Sequence, residues 1–118
     1  MSRSELDIHP VINERYSPRA FSDRTVTDHE LELLLEAARW APSSMNEQPW
    51  RFLVTRRGGE GHGELLDALN PSNQRWADKA PVLILVMAKR SLSRNAQENH
   101  HARHDVGMAT AHLSAQAT

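Results

Sequence analysis

Ala41-Pro42-Ser43-Ser44-Met45-Asn46-Glu47-Gln48-Pro49-Trp50 joins a stretch patterned as a helix to one composed as a strand, and the rest of the chain can be read outward from it. Its serines and amides both donate and accept hydrogen bonds, as the edge of a heterocycle with alternating carbonyls and nitrogens requires. Chemistry alone favours a plainer reading, a serine helix terminus followed by an amide-rich turn.

Toward the N-terminus, Thr27 with Glu30 three residues later forms a capping box, and Val26 and Leu31 are placed for a hydrophobic staple. A helix follows, because Leu31, Leu34, Leu35 and Ala38 recur at helical spacing while Glu32, Glu36 and Arg39 fall on other faces. Pro42 closes it. Further upstream, Pro10 to Arg15 predicts a short helix, since proline suits the first turn and Val11 and Ile12 give it an apolar edge; Pro18 ends it.

Toward the C-terminus, Trp50 to Thr55 is rich in aromatic and branched residues and predicts a strand, with a glycine-rich loop over residues 56–63 after it. Glu64 to Leu69 predicts a brief helix, and Asn70-Pro71-Ser72-Asn73 a turn. Val82 to Ala88 is apolar at every position, as a central strand covered on both faces would be. From about Ala102, the stripe Val106, Ala109, Leu113, Ala117 predicts a helix suited to close packing. Two strands are fewer than an independent sheet usually needs, and no stop signal marks the terminal helix at Thr118. The expectation is therefore one α+β domain, helices around a central mixed or antiparallel sheet, truncated on its C-terminal side.

At 118 residues the chain suits a single domain. With 14 basic and 15 acidic residues it carries no broad electrostatic footprint for nucleic acid or membrane. The absence of cysteine excludes disulfides, thiolate metal sites and thiol catalysis. Neither a membrane-spanning run nor the apolar stretch of a secretory signal is found, so a soluble cytoplasmic protein is expected.

A second polar motif, Arg15-Tyr16-Ser17-Pro18-Arg19, sets two guanidinium groups about a hydroxyl. Arginine forks match phosphate oxygens and serine adds a neutral donor, although solvated or salt-bridged surface arginines are the commoner case.

Taken in order, Arg15-Tyr16-Ser17-Pro18-Arg19-Ala20-Phe21, Leu34-Leu35-Glu36-Ala37-Ala38-Arg39, Ala41-Pro42-Ser43-Ser44 with Asn46-Glu47-Gln48-Pro49-Trp50-Arg51-Phe52, Asn73-Gln74-Arg75-Trp76 with Ala80-Pro81-Val82, and Asp105-Val106-Gly107-Met108-Ala109 resemble the nitroreductase family over nearly the whole chain. The resemblance implies a homodimer with two FMN sites, each built from both subunits, and a ping-pong reaction. NAD(P)H reduces the flavin, and a small-molecule acceptor such as a nitroaromatic or quinone then takes the electrons. It implies that Arg15, Ser17 and Arg19 hold the phosphate, the ribityl chain and the pyrimidine edge. Asn73 would reach the ring from the same subunit, and Pro42, Ser43, Ser44 and Asn46 would approach from the partner, with Gln48 a weaker candidate. No dedicated catalytic side chain is expected, because the cofactor carries the chemistry. The alternatives are a non-catalytic flavin-binding, dimerising remnant and a histidine-dependent metal protein.

The metal alternative rests on His100, His101, His104 and Asp105, with His100 and His104 one helical turn apart; a solvated helix start is the preferred reading. The glycines at 58, 59, 61 and 63 lack the lysine and helix of a phosphate loop. Trp40, Trp50 and Trp76 are expected in the core, with Trp76 the first candidate for an exception.

Overall fold

The computed structural model describes residues 4–118. In chain order these form α1 (Pro10–Glu14), α2 (Asp28–Arg39), a 3-10 turn (Ser44–Asn46), β1 (Trp50–Arg56), α3 (His62–Asp67), α4 (Pro71–Ala77), β2 (Val82–Ala88) and α5 (Ala102–Gln116). The class is α+β, as expected, with its two strands antiparallel and Leu53 opposite Leu85.

The capping box fixes the start of α2. Thr27 accepts from the Glu30 backbone N–H, and the Glu30 carboxylate accepts from the Thr27 N–H at 2.7 Å. That backbone hydrogen bond, followed by the one from the Arg24 side chain, lowers the Glu30 carboxyl to about 2. Arg56 at the end of β1 binds the Val26 carbonyl and, at 2.5 Å, Asp28, tying strand to helix start.

Around these elements the core is small-residue packing. Ala38 and Ala41 meet Val106 and Ala109 of α5, with Trp50 beside them and Phe52, Val86 and Ala88 packed against the cluster. Alanine on both helices lets the two backbones approach closely, and the alternation of strand side chains puts Trp50, Phe52, Val86 and Ala88 on the sheet face that α5 covers. α5 thus lies against both α2 and the sheet and carries its buried residues, Ala102, Asp105, Val106 and Ala109, to the centre.

Three expectations need correction. Residues 70–73 do not form a free turn: Asn70 caps α4 by accepting from the Asn73 N–H at 3.0 Å, with Pro71 in the first helical turn. The same residue types that favour turns also start helices. β2 is not covered on both faces, since Leu85 is 39% and Met87 40% exposed, opposite β1 residues that include the half-exposed Leu53. α3 covers only the other end of that face, where buried Thr55 bonds His62 at 3.0 Å. Of the tryptophans, Trp50 is buried, but Trp40 is 71% exposed, its Nε1 donating to Glu36 at 2.8 Å under the Arg39 guanidinium. Among the described residues, no helix is long and apolar enough to cross a membrane.

Candidate functional site

The sequence-predicted residues fall in two places. Residues 15–20 form an exposed arm after α1. Arg15, the C-cap of α1, turns its Nη1 toward Ser17 Oγ at 3.4 Å, gathering a charged and a neutral donor at one spot. Arg15, Tyr16, Ser17, Pro18 and Phe21 line a cleft of about 500 Å³ against the last turn of α5 and the residues after it. Arg19 is exposed beside this cleft and does not line it. Phe21 stacks on Trp76 with ring centroids 6.3 Å apart, and Trp76 Nε1 donates to Asn73 Oδ1 at 3.3 Å. This aromatic pair brings the arm toward α4 and so toward Asn73.

The second place is the loop of residues 42–48. Its backbone is strained: Met45, Asn46 and Gln48 have φ of 54°, 53° and 50°, a left-handed region that costs non-glycine residues on the order of 1 kcal/mol each or more. Three polar clamps hold it. Asp105 Oδ2, on a side chain that α5 buries to 2% exposure, accepts from the Ser44 N–H at 3.0 Å. Ser43 Oγ accepts from the Gln48 N–H at 3.0 Å. Glu47 Oε1 accepts from both the N–H and the Oγ–H of Ser93 at 2.7 Å, with Lys89 Nζ at 3.4 Å. The Ser93 hydroxyl, then its N–H, then Lys89 hold the Glu47 carboxyl below its ordinary range. What remains outward are the side chains of Pro42, Met45 and Asn46, all exposed. A fixed backbone presenting free polar and apolar groups is the form that pre-organised recognition takes.

The structure does not bring these two places into one cavity. No residue of the 42–48 loop lines the arm's cleft, and Ser44 and Met45 line a different one. Reading the sequence also missed the clamps. Asp105 was given a role only as a possible metal ligand beside the histidines, besides its place in a matching motif, yet its carboxylate faces the Ser44 N–H and, at 3.4 Å, His104. Among the described residues, no group of three or more histidine and acidic side chains is arranged to hold a metal. Glu47 and Ser93 carry no local signal at all, since their pairing spans 46 positions.

An FMN phosphate ester fits the arm on direct grounds: a guanidinium and a hydroxyl converge, the cleft is the size of small-ligand sites, and Phe21 and Leu113 give it apolar walls. The outward amide of Asn46 and the hydroxyls of Ser43 and Ser44 offer the mixed donors and acceptors that a ring edge needs.

Comparison with known proteins addresses the family and the fold. The model of the nitroreductase family matches residues 12–74, a span that includes every candidate residue from Arg15 to Asn73. A solved structure described as an oxidoreductase containing FMN is 33% identical, with a TM-score of 0.89 over 98% of this chain and 60% of that one. A nitroreductase family protein from Clostridium difficile 630 is 30% identical, with a TM-score of 0.71 over 91% of this chain and 59% of that one. Among curated proteins, one from Methanothermobacter thermautotrophicus, provisionally named an NADH dehydrogenase/NAD(P)H nitroreductase, is 33% identical over 77% of this chain and 46% of its own length. The chain spans roughly a quarter to a half of the curated relatives it matches.

Proposed function

The chain belongs to the nitroreductase family, and from that premise we propose that it is an FMN-dependent oxidoreductase working as a homodimer, with NAD(P)H as reductant and a nitroaromatic, quinone or related small molecule as acceptor. Arg15, Ser17 and Arg19 would hold the phosphate, ribityl chain and pyrimidine edge, with Asn73 reaching the ring from the same subunit. Pro42, Ser43, Ser44 and Asn46 would approach the flavin of the partner subunit. The chemistry FMN supplies when bound is hydride uptake from the nicotinamide and, after that product leaves, electron delivery to the acceptor. The protein's part is placement and charge: Arg19 beside the pyrimidine edge would stabilise negative charge on the reduced ring.

The observation that carries this reading is the pairing of a phosphate-suited arm with a clamped, strained loop that the fold keeps in separate cavities. Two half-sites apart on one chain call for a second copy to join them. The surface supports a covered face as well. The chain exposes 8624 Å², against about 6,500 Å² for a compact monomer of its mass. Its radius of gyration is 16.0 Å against about 13.5 Å for a compact domain of its length. Ile12, Tyr16, Trp40 and Met45 are all more than half exposed.

A second reading is a flavin-binding dimer without turnover; the chain spans 60% of the FMN-containing structure it matches. Purified protein titrated with FMN and assayed for NAD(P)H oxidation with a quinone or nitroaromatic separates the two. Flavin uptake with acceptor-dependent oxidation supports the enzyme, and flavin uptake alone supports the second reading. Protein that takes up no FMN overturns both.

A further inference from the structure

Between the 42–48 loop, the excursion of residues 90–99 and the first turn of α5 lies a cavity of about 450 Å³ whose walls include Ser44, Met45, Leu92, Arg94, Asn99 and His101. The excursion leaves β2, pairs Ser91 with Glu98, and returns with the Asn99 N–H donating to the Arg90 carbonyl at 2.7 Å. It thereby delivers Asn99 to the start of α5.

The polar groups of this cavity are unevenly satisfied. Two of its acceptors are engaged: Glu98 Oε1 is paired with Arg90, which is the main reason the Glu98 carboxyl lies below the ordinary range, and Gln97 Oε1 takes the Asn95 amide at 3.1 Å. Asn99 Oδ1 accepts from the His101 N–H at 3.1 Å. The donors are not. Asn99 is 5% exposed, yet its Nδ2 has no hydrogen-bond partner, a deficit that costs about 1–3 kcal/mol unless something supplies an acceptor. Arg94 makes no ion pair or side-chain hydrogen bond among the described residues. α5 begins just beyond this space, where Asn99 accepts the His101 N–H through Oδ1 and the Ala102 N–H through its carbonyl.

We propose that this cavity binds the carboxylate of a small organic molecule, with Asn99 Nδ2 and the Arg94 guanidinium as donors and Met45 and Leu92 as the apolar wall. Asn99 gives the oxygen a buried neutral donor, and Arg94 gives it charge. The volume accommodates a single substituted ring. The site stands on the chain's own residues whether or not flavin binds. Where the proposed flavin function also holds, and resting on it, the far end of the ligand lies at Ser44 and Met45, so the site selects an electron acceptor that carries a carboxylate.

Benzoate and benzamide, alike in shape and different in charge, test this by amide NMR titration of the full chain with and without FMN. Benzoate is expected to shift the Asn99 side-chain amide and the amides of residues 100–103, with benzamide about tenfold weaker, a factor worth about 1.4 kcal/mol. Arg94→Ala, a surface change that leaves the fold intact, is expected to weaken benzoate about tenfold, and Asn99→Leu to remove saturable binding. Equal affinity for the two probes, shifts confined to other surfaces, or an unchanged benzoate affinity in Arg94→Ala overturns the proposal. Benzoate binding by protein that takes up no FMN would leave this site standing while the flavin reading fails.

Discussion

Every side chain from Arg15 to Ala20 is exposed, and among the described residues the arm's one side-chain hydrogen bond joins two of its own residues. The loop of residues 42–48 is instead fixed from three sides, by Asp105 of α5, by its own Ser43, and by Ser93 from beyond β2, in a backbone conformation that non-glycine residues rarely keep unaided. The two halves of one candidate site are thus built differently. Strain in the loop persists because buried or nearly buried carboxylates accept its N–H groups or anchor its side of the turn, and the result is a rigid surface made before any ligand arrives. The arm has charge and reach and no such support, so its order should come from the ligand it holds. A substitution in the loop's clamps should therefore damage stability and binding together, and one in the arm binding alone.

Asp105→Ala should have the largest effect. It leaves the Ser44 N–H without its buried acceptor and should cost about 1–3 kcal/mol in urea unfolding, with FMN affinity falling in parallel. Stability that stays at the wild-type level would dissolve the distinction between clamped loop and free arm.

Arg15→Ala should come next and should separate the two readouts. Losing a charge-assisted contact to phosphate is expected to weaken FMN by about tenfold or more, while unfolding stability stays within about 0.5 kcal/mol of wild type. A fall in stability as large as that of Asp105→Ala would mean that the arm is structural after all.

Glu47→Gln should have the smallest effect at neutral pH and a recognisable pH signature. The folded carboxyl is depressed below its ordinary value of 4.5, first by the Ser93 hydroxyl and then by the Ser93 N–H. A depressed carboxyl stabilises the fold fully above the unfolded value and loses that contribution as pH falls through the folded one. The wild-type advantage over Glu47→Gln should then hold steady from neutrality to about pH 5 and shrink below about pH 4.5. An advantage that is flat across this range would remove the Glu47 charge from the account of the loop.

How much of this the sequence revealed follows the range of the interactions. The α2 start was legible because Thr27 and Glu30 meet within one turn, and β2 because seven apolar residues in a row leave few alternatives. The arm and loop motifs were legible as residue types in order. The clamps were not, because Ser44 and Asp105 lie 61 positions apart and only folding brings them to 3.0 Å. Trp40 misled for a related reason: a large apolar ring favours a core, but Glu36 one helical turn earlier takes its N–H and Arg39 covers its face, so it is accommodated at the surface. The coverage of β2 was misjudged because composition records how apolar a strand is and not what lies over it; the face with Leu53, Leu85 and Met87 is open in this chain.

The central claim is that arm and loop complete one flavin site only when supplied by two copies of the chain. Mixing tests it directly. Protein with the arm disabled by Arg15→Ala and Ser17→Ala is combined, under subunit exchange, with protein whose loop is disabled by Asn46→Ala, and FMN binding is followed by flavin fluorescence. Each variant alone should bind weakly, and the mixture should regain wild-type affinity at a fraction of its sites, because a mixed dimer holds one intact arm facing one intact loop. A mixture that binds no better than its two components, with subunit exchange verified, would contradict the account.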